Sequence, residues 1–363
     1  MKWKVMGKHH GKYGKIKMNF ENFFKDKTVL VTGHTGFKGA WLSIWLNNLG
    51  AKVIGYSLGP YYKNSLFELT KLKEKIIDIR GDIKDLNKLE SVFKEYQPEI
   101  VIHLAAQAIV RLSYEIPKET FETNFMGTIN IMECLRKYSV KSAVLITSDK
   151  CYKNIEQKKG YVETDAMSDQ DPYSCSKGCT EMAVQSYRNS FNIKIATTRA
   201  GNVVGGGDWT TDRIIPDTIR ALKKGKKIKI RNPEATRPWQ FVLEPLLGYL
   251  LLAKRQYEGE DLSEGWNFGP KMISMVPVKE LVELMIKEWG SGKIEIEQDI
   301  SNKHEAMLLY LDYTKSKNRL GWNPKLDIQK TVKYIIEWYK NYEKEDVYQL
   351  CINQIKRYNL END

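Results

Sequence analysis

A tyrosine and a lysine four residues apart form the first pair in this sequence whose spacing could support chemistry. If Tyr173 and Lys177 share a helix, they lie on one face, with the lysine ammonium near the phenol. A nearby cation, together with a positively charged nicotinamide, lowers a tyrosine pKa from about 10 toward neutrality. The phenolate could then take a proton from a sugar hydroxyl while a hydride leaves. Of the Tyr-Lys pairs with this spacing, only this one follows a predicted strand that ends in hydroxyl residues.

Three polar residues, Ser148, Asp149 and Lys150, come directly after that predicted strand. Ligands of open parallel sheets bind at the carboxyl ends of the strands. Ser148 could hydrogen-bond the same hydroxyl as Tyr173, while Asp149 and Lys150 add an acid and a potential base. An isolated Asp-Lys pair would instead indicate a turn with a surface ion pair. The catalytic interpretation therefore depends on Tyr173 lying nearby.

A glycine-rich segment, TGHTGFKGAW, places Gly33, Gly36 and Gly39 between a predicted strand and a predicted helix. Gly33 permits a tight turn, Gly36 lets a pyrophosphate approach the backbone, and Gly39 lets the helix pack close to the sheet. The helix start then offers free N–H groups and the positive end of a dipole to phosphate. This context predicts a dinucleotide site. The sequence has no G-x-x-x-x-G-K-[ST] motif, so it does not indicate a nucleotide triphosphatase.

The type of dinucleotide stays open. A ribose-binding acid is expected about 20 residues after the glycines, but residues 53–58 contain none. Tyr56 or Ser57 could take the ribose hydroxyl, whereas Lys63 could meet a 2′-phosphate, so NAD and NADP are both possible. Asp82 could hydrogen-bond the adenine amine, or it could cap a turn or helix.

The elements that must position these residues alternate short apolar runs with helical stretches. Strands spaced by helices indicate βαβ units and a parallel sheet covered on both faces. We predict an α/β fold, with a Rossmann-type doubly wound parallel sheet over 19–200 and a smaller mixed α/β substrate domain mainly over 201–350. Residues 241–256 could return to the first domain. The predicted strands are Thr28–Val31, Lys52–Tyr56, Ile76–Ile79, Ile100–Ala105, Ala143–Thr147 and Ile193–Thr198, and the predicted helices are Gly36–Leu49, Lys84–Tyr96, Lys118–Tyr138, Pro277–Trp289 and Ile328–Tyr342.

Composition excludes several classes of protein. A chain that is 42% hydrophobic and 28% charged can build a core, and it has no apolar run of the ~20 residues that a bilayer requires. Five scattered cysteines favour a reducing, cytoplasmic compartment over a disulfide scaffold. The five histidines and these cysteines show no zinc-ligand spacing, so we expect no metal site.

The net charge of +12 has an uneven distribution. Six lysines and no acid lie in residues 1–18, which we interpret as a disordered basic extension, leaving +6 for the rest. That mild excess suits an anionic small molecule. Nucleic-acid binding is not expected, because no basic stripe with interleaved aromatic residues is present.

Five segments carry a resemblance to the extended short-chain dehydrogenase/reductase family. TGHTGFKGAW and DPYSCSK, which begins at Asp171, are typical of the family as a whole. The other three are more specific and are similar to the 4,6-dehydratase branch that acts on CDP-glucose. They are ITSDKCY from Ile146, TTRAGNVVGGGDW from Thr197 and RPWQFVLEPLLGYLLLA from Arg237.

The resemblance implies a three-step reaction on a nucleotide sugar with bound NAD. Tyr173, supported by Ser148 and Lys177, would remove the 4-hydroxyl proton as hydride leaves C4. Water would then be eliminated across C5 and C6, and hydride would return to C6. Asp149 would protonate the departing 6-hydroxyl, which requires a raised pKa. Lys150 stands where related dTDP-glucose enzymes carry a glutamate, so it would act as the C5 base or stabilise the enolate as a cation.

The resemblance also implies binding residues and a homodimer built by pairing helices, including the one with the Tyr-Lys pair. Alternatives are a 4-epimerase of the same family, a dehydratase for another nucleotide sugar, or a silent dinucleotide-binding regulator. Arg213 could instead pair with Asp212 or Asp217. The implied cofactor residues are Gly33, Thr35, Gly36, Phe37, Gly39, Asp82, Ile83, Leu104, Ala105, Tyr173 and Lys177, and the implied substrate residues are Gln107, Asn202, Arg213 and Arg237.

Overall fold

A computed structural model of the protein describes residues 20, 22–157, 159–167, 170–297 and 308–361, so the predicted extension over 1–18 lies outside the described residues. The strands are β1 (Thr28–Thr32), β2 (Lys52–Ser57), β3 (Ile77–Arg80), β4 (Ile100–His103), β5 (Ser142–Ile146), β6 (Ile195–Ala200), β7 (Asn202–Val204), β8 (Ile228–Ile230), β9 (Thr236–Phe241), β10 (Gly265–Phe268), β11 (Met275–Pro277) and β12 (Ile294–Ile296). The α-helices are α1 (Phe37–Asn48), α2 (Leu66–Leu69), α3 (Leu86–Tyr96), α4 (Val110–Ser113), α5 (Pro117–Phe121), α6 (Gly127–Lys137), α7 (Pro172–Phe191), α8 (Ile214–Lys223), α9 (Leu243–Tyr257), α10 (Val278–Trp289), α11 (Ile328–Asn341) and α12 (Val347–Leu360).

Seven parallel strands form the central sheet, in the order β3-β2-β1-β4-β5-β6-β10. The order reverses at β1, whose residue Val31 lies between Gly55 of β2 and Ile102 of β4. Ligands of such sheets bind at the carboxyl ends of strands beside this reversal. The predicted α/β fold with a Rossmann-type parallel sheet is therefore confirmed.

Both faces of the sheet are covered, and the side chains of β1 show how. Val29 and Val31 join an apolar core that includes residues of α1, α9, α11 and α12. Leu30 points to the opposite face and joins a core that includes residues of α3 and α6. Successive strand residues face opposite sides, so a continuous apolar run serves both cores.

The second half of the chain contributes to both parts of the fold. Strands β11, β9 and β7 form one small sheet, and β12 pairs with β8 in another. Helix α9 packs on β4 and β5, and β10 adds the seventh strand to the central sheet. Residues 243–268 thus return to the central sheet. None of the described helices is both long enough and apolar enough to cross a membrane.

The predicted helix over 118–138 is interrupted. It consists of α5, a π-helical turn over Glu122–Met126, and α6. Asn124 lies in this turn, fully buried, and its amide hydrogen-bonds groups outside the helix. Such turns frequently occur at functional sites.

Candidate active site

The turn between β1 and α1 brings the helix start close to the ends of the central strands. Gly33 has a φ of +74°, which favours glycine, and a Cβ on it would lie 2.8 Å from Ala105 N. A Cβ on Gly39 would lie 2.1 Å from Gly33 O, so only glycine allows this packing. Gly36 precedes α1 and offers no side-chain cap to its first N–H groups. These donors fit a dinucleotide pyrophosphate.

The neighbouring strand ends provide the other predicted cofactor residues. Thr35 Oγ1 lies 2.9 Å from Ser57 Oγ and donates to Leu58 O at 3.0 Å. The N–H groups of Leu104 and Ala105 donate to Thr32 Oγ1, at 3.1 and 3.2 Å.

Asp82 and Ile83 follow β3. Asp82 Oδ1 accepts from Lys84 N at 2.9 Å, which is a turn-capping role. A Cβ on Gly127 would meet Ile83 Cγ2 at 2.5 Å, so Ile83 packs against the start of α6. Contact of either residue with adenine stays a prediction.

A cavity of about 380 Å³ lies between the central sheet and the smaller sheets. The predicted site residues that line it are Phe37, Ser148, Asp149, Lys150, Tyr173, Asn202, Arg213 and Arg237. The fold therefore gathers residues that are up to 200 positions apart in the sequence.

The Ser148–Lys150 segment follows β5 as a short helical turn. Ser148 Oγ accepts from Lys150 N at 3.2 Å and donates to Asp149 Oδ1 at 3.0 Å. Burial raises the pKa of Asp149, although the charges of Lys150 and Arg237 oppose this shift. The direction is the one that a proton-donating carboxyl requires.

Helix α7 carries Tyr173 and Lys177, and its start is fixed by a cap. Asp171 Oδ1 accepts from Ser174 N at 2.9 Å, and Pro172 occupies the first helical position. Lys177 is buried and its Nζ donates to Ile146 O at 3.3 Å. The two predicted partners therefore lie at the carboxyl end of β5.

In the protein without a bound nicotinamide, the pKa of Tyr173 is raised rather than lowered. Burial raises it to about 12, although a hydrogen bond with Ser148 acts in the opposite direction. Burial also lowers the pKa of Lys177 to about 8. The residues of the protein thus favour the neutral phenol. The expected pKa near neutrality includes the charge of a bound nicotinamide, so it stays a prediction.

The predicted substrate residue Gln107 does not line the cavity. Its Nε2 donates to Thr120 Oγ1 at 3.0 Å, and its Oε1 accepts from Ile109 N at 2.5 Å. Asn124 holds the Gln107 backbone by two hydrogen bonds and donates to Ser176 Oγ on α7 at 3.0 Å. Gln107 therefore belongs to a structure that supports α7.

The other predicted substrate residues line the cavity. Arg213 precedes α8 and donates to Ala108 O at 3.3 Å, and its Nη1 lies 3.8 Å from Asp208 rather than pairing with Asp212 or Asp217. Asn202 of β7 stands opposite Trp239 of β9, next to Arg237.

Lys38 is a cavity residue that the sequence reasoning missed. It lies in the first turn of α1, within the glycine motif itself. Burial, with the charges of Lys177 and Arg213, lowers its pKa to about 7. Among the described residues it has no hydrogen-bond or ion-pair partner. Its position inside the glycine motif, in the segment GFKG, was the sequence signal that could have identified it as a site residue. Further missed lining residues are Arg111, Tyr114, Arg231 and Asn232.

Comparisons with known proteins show the family to which the chain belongs. The family model described as GDP-mannose 4,6 dehydratase matches residues 30–335. The CDP-glucose 4,6-dehydratase of Salmonella typhimurium (strain LT2) is 45% identical over 342 residues, which cover 91% of this chain and 95% of the relative. The human dTDP-D-glucose 4,6-dehydratase is 28% identical, over 86% of this chain and 90% of its own length.

Solved structures show the same fold. UDP-glucose 4-epimerase from Thermotoga maritima, solved with UDP-glucose, aligns with a TM-score of 0.78 and 25% identity, over 87% of this chain and 100% of that one. dTDP-glucose 4,6-dehydratase from Bacillus anthracis, solved with NAD, gives 0.76 and 22%, over 90% and 99%. The chain therefore belongs to the GDP-mannose 4,6-dehydratase family of extended short-chain dehydrogenases/reductases.

Proposed function

We propose that the protein is an NAD-dependent 4,6-dehydratase that converts CDP-glucose to CDP-4-keto-6-deoxyglucose. The observation that carries this proposal is the shared cavity of Tyr173, Asp149 and Lys150. A candidate acceptor for the hydroxyl proton and an elimination pair face the same space, as an oxidation by NAD followed by loss of water requires. The choice of CDP-glucose rests on the 45% identity to the Salmonella typhimurium enzyme.

Each residue has a stated task. NAD, the cofactor of this family, supplies reversible hydride acceptance. Tyr173 takes the proton of the 4-hydroxyl. A hydrogen bond with Ser148 favours its ionised form, and the charge of Lys177, four residues further along α7, would act in the same direction. Because the protein alone holds the Tyr173 pKa at about 12, the positive charge of a nicotinamide is needed to bring it down.

The elimination pair acts after the 4-keto group has acidified C5–H. Asp149, whose buried carboxyl holds a proton more readily than an exposed one, protonates the departing 6-hydroxyl. Lys150 removes the C5 proton or stabilises the enolate that forms. Lys150 lies next to Asp149 in the turn after β5, so both groups reach one end of the sugar.

Substrate binding falls to the opposite wall. Arg213 and Arg237 can each form paired hydrogen bonds to the diphosphate, and Asn202 can donate to it. A 4-epimerase, the second candidate, needs Tyr173 and Lys177 but has no use for an elimination pair. Asp149 and Lys150 therefore favour the dehydratase.

A homodimer is part of the proposal. Met182 and Phe191 on α7 are 56% and 49% exposed, and Met126 in the neighbouring π-helical turn is 48% exposed. These apolar side chains lie on helices that family members pair across a dimer interface. We expect a species of about twice 42.1 kDa by light scattering and a monomer from Met182→Glu. A monomeric wild-type chain would contradict the dimer.

Incubation with CDP-glucose and NAD in D₂O tests the reaction. Proton NMR and mass spectrometry should show loss of water, deuterium at C5 and a new 6-methyl group. An unchanged mass with a galactose-type product would establish the epimerase instead. If CDP-glucose does not react while UDP-, dTDP- or GDP-glucose does, the proposed nucleotide is wrong and the dehydratase stands.

A further inference from the structure

Glu181 is a buried carboxylate on α7, one turn beyond Lys177, that the proposed mechanism does not use. It is only 3% exposed, and it accepts four hydrogen bonds. Thr147 and Thr197 donate their Oγ1 hydroxyls at 2.5 and 2.7 Å. Arg199 donates through Nε and Nη2, both at 2.9 Å. Such a bidentate ion pair fixes geometry as well as charge.

The partners of Glu181 lie on the elements that carry the site. Thr147 follows β5 and directly precedes Ser148, while Thr197 and Arg199 belong to β6. The carboxylate therefore ties the middle of α7 to the strand end from which the Ser148–Lys150 segment departs.

Arg199 extends the connection to the far end of that segment. Its Nη1 donates to the Tyr152 hydroxyl at 2.5 Å and to Glu163 O at 3.2 Å. The Tyr152 hydroxyl in turn donates to Asn267 Oδ1 of β10 at 2.9 Å. Both ends of the 148–151 stretch are thus held by a single ion pair.

We propose that Glu181 is a positioning residue: through Arg199, Thr147 and Thr197 it holds α7 in register with the Ser148–Lys150 segment, and its negative charge favours the cationic form of Lys177. This inference rests on the proposed dehydratase function. It assigns Glu181 no contact with substrate or cofactor.

The charges around Lys177 make the electrostatic part of this proposal testable. Burial lowers the Lys177 pKa to about 8, while Glu181 on the same helix and the Cys151 thiol across from it raise it. His103 of β4 and Lys38 of α1 also face Lys177, and its charge lowers the pKa of each. Neither His103 nor Lys38 stabilises the Lys177 ammonium group, whereas the negative charge of Glu181 does.

Glu181 itself stays ionised across the working range. Burial opposes its charged form, but the Arg199 guanidinium and the hydrogen bonds lower its pKa to about 2. Its charge is therefore constant while Lys177 titrates. Since the reaction needs cationic Lys177, activity is lost as pH rises through the Lys177 pKa, and without Glu181 this loss should begin at lower pH.

The experiment compares pH profiles of kcat/KM for wild type and three variants. Glu181→Gln removes the charge but leaves Arg199 buried and unpaired, which destabilises the fold. The double variant Glu181→Gln/Arg199→Met removes both charges, so it should recover stability. Thr197→Val removes one hydrogen bond and keeps the carboxylate, which makes it the matched control.

We expect the alkaline limb to move down by about one pH unit in both the single and the double variant. Thr197→Val should lower thermal stability and leave the limb in place. The electrostatic role is overturned if the double variant folds and keeps the wild-type limb, or if Thr197→Val moves it equally.

A direct titration keeps this test separate from the proposed function. Isotope-labelled lysine NMR can follow Lys177, with its signal assigned by its loss in Lys177→Met. A lower Lys177 pKa in the double variant supports the electrostatic role of Glu181 even if no nucleotide sugar reacts. An unchanged Lys177 pKa rejects that role even if the wild-type enzyme is a dehydratase.

Discussion

Two buried carboxyls in this protein have pKa values raised by burial, yet their surroundings differ. Glu244, at the start of α9, accepts from the N–H groups of Lys325 and Leu326 at 2.8 and 2.7 Å, and from the Tyr358 hydroxyl at 2.8 Å. Asp149 instead faces the cavity, with Lys150 beside it.

The lysines near these two carboxyls differ in the same way. Lys325 Nζ donates to backbone carbonyls at the end of α12, including Glu361 O at 3.0 Å. Lys38, in the cavity, has no such partner among the described residues. A perturbed pKa alone therefore does not mark a reactive group. What distinguishes Lys38 is that no described residue hydrogen-bonds or pairs with its ammonium group.

The largest expected difference in kcat between the cavity and the Glu244 cluster comes from removing the Tyr173 phenol. We expect Tyr173→Phe to lower kcat by about 10³-fold, because Tyr173 is the group proposed to take the 4-hydroxyl proton. Tyr358→Phe removes a buried hydroxyl from the Glu244 cluster and should leave kcat within about twofold. Steady-state product formation by NMR measures both. Equal losses of kcat in the two variants would contradict the distinction between the cavity and the Glu244 cluster.

The second-largest effect is expected on the elimination step. We expect Lys150→Met to lower C5 deuterium incorporation and water loss by about 10²-fold, whichever of its two roles Lys150 plays. Lys153→Met, in the exposed continuation of the same segment, is the control. The 4-keto intermediate should still form, as seen by reduced-nicotinamide absorbance. Wild-type turnover in Lys150→Met would rule out both roles.

A smaller effect is expected where binding alone is altered. Arg237→Lys keeps the positive charge but loses paired hydrogen bonding, so KM for CDP-glucose should rise about tenfold with kcat little changed. Arg255→Lys on α9, where the arginine pairs with Glu260, should leave KM unchanged. A fall in kcat without a change in KM would place Arg237 in the chemical step instead.

Much of this arrangement was accessible from the sequence, for physical reasons. Buried parallel strands such as β1 and β4 are continuous apolar runs, and the strand-glycine-helix context of Gly33 is specific. The strand end at Ser148 and the helix spacing of Tyr173 then indicated one site.

Other features could not be obtained in this way. The four-residue strand β10 is too short for its period to be recognised. The Gln107 backbone is held by Asn124 of a π-helical turn that no local sequence pattern predicts. Lys38 and Glu181 are identified only when α1, α7 and β6 are placed together. The burial that raises the Tyr173 pKa in the protein alone also depends on long-range packing.

The smallest expected effect is on stability, and it concerns the satisfied cluster. Burial raises the pKa of Glu244 from 4.5 to about 7, so the folded protein holds a proton that the unfolded chain releases. This group stabilises the fold below pH ~4.5, and that contribution is lost as pH rises through ~7, by up to about 3 kcal/mol.

Glu244→Gln should therefore flatten the fall in the free energy of unfolding between pH ~5 and ~8 and leave kcat unchanged. Urea titrations at the two pH values measure this, with Glu280→Gln, an exposed carboxyl on α10, as the control. If Glu244→Gln retains the wild-type slope, the Glu244 carboxylate is stabilised by its three donors more than burial disfavours it. The contrast with Asp149 would then become sharper, because of the two carboxyls only Asp149 would have its pKa raised by burial. If kcat falls with an unchanged slope, the Glu244 cluster is coupled to the cavity through α9, and the two regions are not independent.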